Sequence, residues 1–510
     1  MGSILHPSRL VTRPRRAWFL APALAAVLAC GPAAAAPAAT PPAPTGRQLT
    51  IAPEAAMKPW TGDLDGMIER RTIRVLVAYS KTFYFMNKGV QRGATYDLVR
   101  GFEDDLNKKL AKDKKLRNKH FKVRVLFIPV GRDELLPALV AGKGDIAASN
   151  LTVTAQRDKQ VDFSVPLLRN VSEVVVSGPA SPAVASLGDL SGKEIFVRKS
   201  SSYYESLVAL NHRLTAERKP AVVIKEAPPA LEDEDLLEML NAGLLPLVIV
   251  DKHKADFWKQ VFPKITVHDT LVVRSGADVG WAMREKSPQL KAAVDDYVSR
   301  TALGTAAGNM ILARYLKNAD YVKDAASEAE RRKFLALVDS FKKYGTQYNV
   351  DWVLMGAQGY QESQLNQAAR SRVGAIGVMQ LMPATGKELN VGDIRKVEAN
   401  IHGGVKYMRW MIDRYYAKEP MTDLDKALFA FASYNAGPRR VAQLRNEAAR
   451  RGLDPNVWFH NVEYVATEKV GAETATYVSN IYKYYIAYRL ILDERAKREQ
   501  AAAQMKTPDR

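Results

Sequence analysis

A single cysteine, Cys30, stands among 510 residues, so no intramolecular disulfide can form and a site built from several thiolates is excluded by count. Histidine is scarce too: seven residues, scattered, with no His-Glu-x-x-His pair to hold a catalytic zinc. No metal and no cofactor is expected. Zinc-finger and RNA-binding signatures are also missing, and runs such as Lys108-Lys109 and Lys112-Asp113-Lys114-Lys115 read as solvated helix faces. Acidic side chains are outnumbered, 55 against 74, which leaves a formal charge of +19. Such a balance favours an anionic partner, an acidic lipid surface or a cell-wall polymer, and nucleic acid is not expected.

What is present is enough for several domains. At this length, with 47% hydrophobic residues, the chain can fill two or three cores. Residues 1–30 have the parts of an export signal, with Arg9, Arg13, Arg15 and Arg16 before the apolar run Trp18 to Ala29, which is short for a membrane span. Val27-Leu28-Ala29-Cys30 resembles a bacterial lipobox, although Leu28 departs from the pattern. That resemblance implies lipidation of Cys30 and, with Gly31 following, attachment at the periplasmic face of the outer membrane. Ordinary cleavage within Ala33 to Ala39, giving a soluble periplasmic protein, is the alternative. Residues 31–69, rich in alanine and proline at first, read as a tether.

From residue 70 the pattern changes. Ile73 to Tyr79 reads as a strand, Tyr96 to Leu110 as a helix and Val123 to Phe127 as a second strand, an order that predicts a parallel sheet with helices on its faces. Leu135 to Ile146, Asn150-Leu151-Thr152-Val153-Thr154-Ala155-Gln156-Arg157 and Val161-Asp162-Phe163-Ser164 then follow. Together they resemble the extracellular solute-binding proteins of the polar amino-acid class. The resemblance implies a two-lobed α/β domain over 70–305, with Val171 to Val176 crossing out, Glu194 to Val197 and Leu247 to Val250 as second-lobe strands, and Leu271 to Val273 leading back. In the cleft Arg157 would meet a carboxylate, Thr152 and Thr154 would add hydroxyl or backbone contacts, and Asp251 would meet an ammonium. The plainer reading makes Arg157 a structural ion pair and Asp251 a helix cap.

Residues 306–340 read as a connecting helical segment, and 341–492 as nearly all helix. Ile401, Val405, Met408, Ile412 and Tyr415 fall on one helical face, and so do Tyr477, Ile481, Tyr484 and Tyr488; both stripes predict core. Residues 493–510 show no apolar stripe and read as a charged tail. Near the start of the helical region, the run Trp352 to Met355 leads to Gly359-Tyr360-Gln361-Glu362-Ser363 and a glycine-interrupted loop, Ser371 to Pro383. A carboxyl group placed so, against apolar neighbours and beside a groove, keeps its proton and can serve as a general acid. Glu362 is the candidate.

Ser433-Tyr434-Asn435-Ala436-Gly437-Pro438 and Glu473-Thr474-Ala475-Thr476-Tyr477-Val478 complete an ordered set. It resembles the lysozyme-like SLT domains of lytic transglycosylases, and with the upstream binding-protein-like region the whole is similar to the membrane-bound lytic murein transglycosylase F family. The resemblance implies cleavage of the MurNAc-GlcNAc bond of peptidoglycan without water, giving 1,6-anhydromuramyl ends. Glu362 would act as both acid and base, Ser371, Met379, Gln380, Tyr434, Asn435 and Tyr477 would shape the groove, and Glu473 would support them. Wall-derived peptides or amino acids would be ligands of the first domain. Two alternatives stay open: a hydrolytic muramidase, which needs a positioned water and a second carboxylate, and an inactive wall-peptide receptor.

Overall fold

A computed structural model describes residues 49–506 apart from 51, 88, 117–120, 318 and 320–327. Cys30, the export signal and the start of the tether lie outside the described residues. The chain runs through β1 (Thr72–Val77), β2 (Phe85–Asn87), β3 (Val90–Arg92), β4 (Arg124–Pro129), β5 (Ile146–Thr152) and β6 (Asp162–Phe163), then β7 (Leu168–Ser177), β8 (Glu194–Arg198), β9 (Val223–Ala227), β10 (Leu247–Asp251) and β11 (Thr266–Met283). Among them run α1 (Leu64–Glu69), α2 (Ala94–Lys112), α3 (Leu135–Val140), α4 (Ser202–Ala216), α5 (Asp233–Asn241), α6 (Lys252–Lys259) and, closing the unit, α7 (Pro288–Thr301). The strands lie in the order β4-β1-β5-β11-β7-β10-β8-β9. β1 pairs in parallel with β4 and β5, as the β-α-β pattern predicts. β1 is buried along nearly all its length, with Arg74 paired to Asp145 among its apolar residues.

β7 and β11 are the crossovers between lobes, antiparallel to each other from Thr266 opposite Ser177 to Val279 opposite Leu168. Each lobe has its own core, one around Phe102, Trp281 and Val294, the other around Leu207, Leu237 and Trp258. Buried contacts cross the cleft. Arg132 of the first lobe pairs with Glu232 of the second at 2.7 Å, and Arg157 with Glu205 at 3.1 Å.

α8 (Ala306–Leu316) leads on, with Tyr315 packed edge-on against Phe85 at 6.3 Å. The helical unit comprises α9 (Glu328–Gln347), α10 (Trp352–Ser363), α11 (Pro383–Glu388), α12 (Val397–Met411), α13 (Asp423–Ala436), α14 (Pro438–Arg450), α15 (Glu463–Val470) and α16 (Ala472–Lys506). α12 continues into a π-helical turn, Ile412–Tyr416.

Three expectations are corrected here. The tether is folded from its end onward: Leu49 forms a bridge with Val350, the Thr50 hydroxyl donates to Asp351 at 2.8 Å, and the Trp60 ring lies 3.6 Å under the Arg70 guanidinium. Those few anchor residues suffice to hold it. Tyr415 is exposed and Tyr416 is buried, because the wider π turn shifts which residue faces the core. The charged tail is, over its described residues up to Lys506, the end of α16. Its inward positions are Arg498, which pairs with Glu234 at 3.1 Å and donates to Asp235 at 2.6 Å, and the buried Ala501. An arginine matched to the acidic start of α5 leaves no apolar stripe in the sequence, yet it docks the helix. α16 thus packs on α10, α13 and α15 of the helical unit, on β4 of the first lobe and on α5 of the second.

Candidate active site

α10 begins with Asp351, whose carboxylate accepts from the Val353 amide, and ends at Ser363, where Gln364 and Leu365 turn left-handed. Glu362 therefore sits in the last turn, where the partial negative charge of the helix terminus opposes ionisation. Burial adds to this and pushes its carboxyl from the usual 4.5 up to about 7. The Tyr477 hydroxyl pulls the other way, donating to Glu362 Oε1 at 2.5 Å. Burial and the adjacent carboxyl raise the Tyr477 phenol well above its usual range, so it remains a donor. Behind it the Gln358 amide, one turn before Glu362, donates to Tyr477 Oη at 3.1 Å.

The following loop forms the neighbouring wall. Ser371 Oγ accepts from the Ala375 amide at 2.9 Å and Ser363 Oγ donates to the Val378 carbonyl at 2.9 Å. Gln380, itself left-handed, folds its amide onto the Gly377 carbonyl at 2.8 Å. Met379 is fully buried as the floor. It can lie there because Gly404 faces it: a Cβ at that position would come within 2.5 Å of the Met379 side chain. Asn400, buried in α12, accepts from the Met379 amide at 2.8 Å and donates to the Ile376 and Ile394 carbonyls. Tyr434, at the end of α13, donates to the Met379 carbonyl at 2.7 Å, and the Thr474 hydroxyl donates to Asn435 Oδ1 at 2.7 Å.

Glu362, Tyr434 and Tyr477 are thus brought together, with Met379 beneath them and Ser371 and Gln380 shaping the loop. Glu473 is exposed on the first turn of α16, and Thr474 makes the contact with Asn435. Gln358, Asn400 and Thr474 were not singled out in the sequence. Gln358 was accessible to reasoning, since i and i+4 share a helix face. Among the described residues no three or more His, Cys, Asp or Glu side chains converge as metal ligands would.

The interlobe cleft encloses about 500 Å³. Arg157 spans it with every kind of donor engaged: Nε on Glu205, Nη1 on the Thr152 carbonyl at 3.2 Å, and Nη2 on the Ser200 carbonyl at 2.9 Å. Thr154 Oγ accepts from the Arg157 amide at 3.3 Å and so shapes the turn rather than the cavity wall. Asp251 lines the cavity, and its Oδ2 is held by Lys254 at 2.8 Å and Asn150 at 3.2 Å. Its Oδ1 is buried without a partner. No hydrogen bond from the Asp251 side chain caps α6, so the helix-cap reading does not hold.

The family described as transglycosylase SLT domain matches residues 339–455, and that of bacterial extracellular solute-binding proteins, family 3, matches 75–305. Membrane-bound lytic murein transglycosylase F of Pseudomonas fluorescens is 28% identical over 460 residues, covering 86% of this chain and 89% of the relative. The protein of the same name from Pseudomonas putida is 28% identical over 444 residues, covering 83% and 86%. A solved amino acid ABC transporter substrate-binding protein from Streptococcus pneumoniae, bound to L-arginine, aligns with 52% of this chain and 100% of its own at 18% identity, with a TM-score of 0.39. With a solute-binding unit and a helical SLT unit in that order, the chain is similar across most of its length to these membrane-bound lytic murein transglycosylase F proteins.

Proposed function

We propose that the protein is a peptidoglycan lytic transglycosylase in which Glu362 is the sole acid and base, cleaving the MurNAc-GlcNAc β-1,4 bond to leave a 1,6-anhydromuramyl end. The observation that carries this is Glu362 buried in the last turn of α10 and held at Oε1 by Tyr477, its carboxyl pushed up to about 7 by burial. Protonated, Glu362 gives its proton to the departing glycosidic oxygen, and the ionised carboxylate then takes the proton of the muramyl C6 hydroxyl as that oxygen closes on C1. The substrate's own N-acetyl oxygen supports the cationic centre in place of a protein nucleophile. A base of pKa about 7 suits both halves of the cycle. Glu362→Gln keeps the shape and loses the proton. Mass spectrometry of digested wall is expected to find anhydro ends from the wild type and a roughly hundred- to ten-thousand-fold loss in the variant. Reducing ends instead would mark a hydrolytic muramidase, and near-wild-type turnover by folded Glu362→Gln would remove Glu362 from this role.

The cleft is read as a site for a wall-derived peptide or amino acid. The unpartnered Asp251 Oδ1 favours an ammonium, and Arg157 suits a carboxylate once Glu205 is displaced. Calorimetry with a panel of wall peptides is expected to show binding that Arg157→Ala weakens; absence of binding across the panel rejects the site. Attachment to the membrane follows the relatives' name and Cys30. Cys30→Ala is expected to move the protein to the soluble periplasmic fraction, whereas unchanged membrane association with no lipid on the mature terminus rejects the anchor.

A further inference from the structure

Beyond Tyr434 runs a row of aromatic rings: Tyr407, partly buried against the core, leads to Trp410 and Tyr415, which the core does not use. Tyr407 packs on Tyr434 at 5.4 Å, Trp410 stacks on Tyr407 at 5.7 Å and 11°, and Tyr415 meets Trp410 edge-on at 5.7 Å. The core side of the same segment is filled by Met408, Met411, Ile412 and Tyr416. Trp410 and Tyr415 instead stand 46% and 39% exposed and adjacent to each other. Their alignment is also built. Five residues along an α-helix would point Tyr415 about 140° away from Trp410, and the π turn Ile412–Tyr416 brings the two rings together.

We propose that Trp410, backed by Tyr407 and flanked by Tyr415, is a platform for a sugar ring of the glycan strand at a distance from the cleaved bond, so that the enzyme grips long strands better than short ones. This rests on the reading of the groove as a glycan site. A pyranose presents a face of C–H bonds that packs on an indole much as another aromatic ring does. Continuity favours this occupant: the row starts at Tyr434, whose hydroxyl holds the floor beside Glu362, so the rings extend the candidate site rather than stand apart from it.

The test measures binding apart from chemistry. In full-length Glu362→Gln, adding Trp410→Ala is expected to weaken binding of purified uncrosslinked glycan strands roughly five-fold, and Trp410→Tyr to restore most of it. In the otherwise wild-type chain the loss is expected in KM for long strands rather than in kcat, and to exceed the loss on a tetrasaccharide. Equal binding with and without the indole overturns the proposal. So does an equal loss on tetrasaccharide with a lowered melting temperature, which marks a packing role, or a loss confined to self-association or to anionic vesicles, which assigns the rings to a second copy or a lipid surface. Failure of the lytic reading shows separately, as a wild type that releases no muramyl fragments from wall.

Discussion

Glu362 is held between two opposing influences, and each can be removed alone. Burial and the helix terminus disfavour the carboxylate, while Tyr477 favours it with one short hydrogen bond. Tyr477→Phe deletes only the second influence, so the carboxyl rises further. The alkaline limb of the pH-rate profile is expected to move to higher pH, at a lower maximum rate; a limb that stays in place would show that Glu362 does not govern it. The same shift sets a stability trend. Because the folded carboxyl titrates above its unfolded value of 4.5, the folded state binds the extra proton, and stability is lost as pH rises through about 7. Glu362→Gln is therefore expected to melt higher than wild type at pH 8, with the gap closing at pH 4. Glu362, Tyr434 and Tyr477 were legible in the sequence because acid and phenol groups stand in an ordered set of short motifs. Thr474 was not, since a polar side chain turned inward and one turned to solvent look alike in a sequence.

At the scale of elements, α12 matters more than its stripe suggests. Its apolar residues were readable as core, but the groove depends on two that interrupt the pattern: Gly404, which leaves room for Met379, and Asn400, which ties three backbone groups of the loop and its surroundings. Asn400→Leu leaves the Met379 amide and the Ile376 and Ile394 carbonyls without their partner. A cost of roughly 3 kcal/mol is expected, read by chemical denaturation, with activity lost before the helical unit unfolds. The π turn after α12 was beyond sequence periodicity, because Tyr415-Tyr416 offers two equivalent aromatics and only the observed hydrogen-bond spacing selects the inward one. The α/β half was easier to read. Strands rich in buried apolar residues stand out in a sequence, so β1, β4, β8 and β10 and the paired crossovers β7 and β11 lie where expected.

For the whole molecule the linking element is α16. One end places Tyr477 on Glu362, and the other places Arg498 on Glu234 and Asp235 of the second lobe. Between them the Tyr488 hydroxyl donates to the Gly89 carbonyl of the first lobe. A ligand that changes the angle between lobes is therefore expected to pull on the helix that holds Tyr477 against Glu362. The expected outcome is a wall-cleaving rate that changes with the peptide that binds the cleft, and no response in Arg157→Ala; binding without any change of rate would leave the first unit a targeting module. Order of synthesis follows from the same helix. Thr50 and Tyr485 meet across 435 residues, Arg498 and Glu234 across 264, and Tyr477 and Glu362 across 115. Contacts so distant in the chain form late in folding. A nascent chain that already contains Glu362 still lacks the phenol that holds it and the arginine that docks α16 on the second lobe, so the site around Glu362 is assembled only after α16 has emerged.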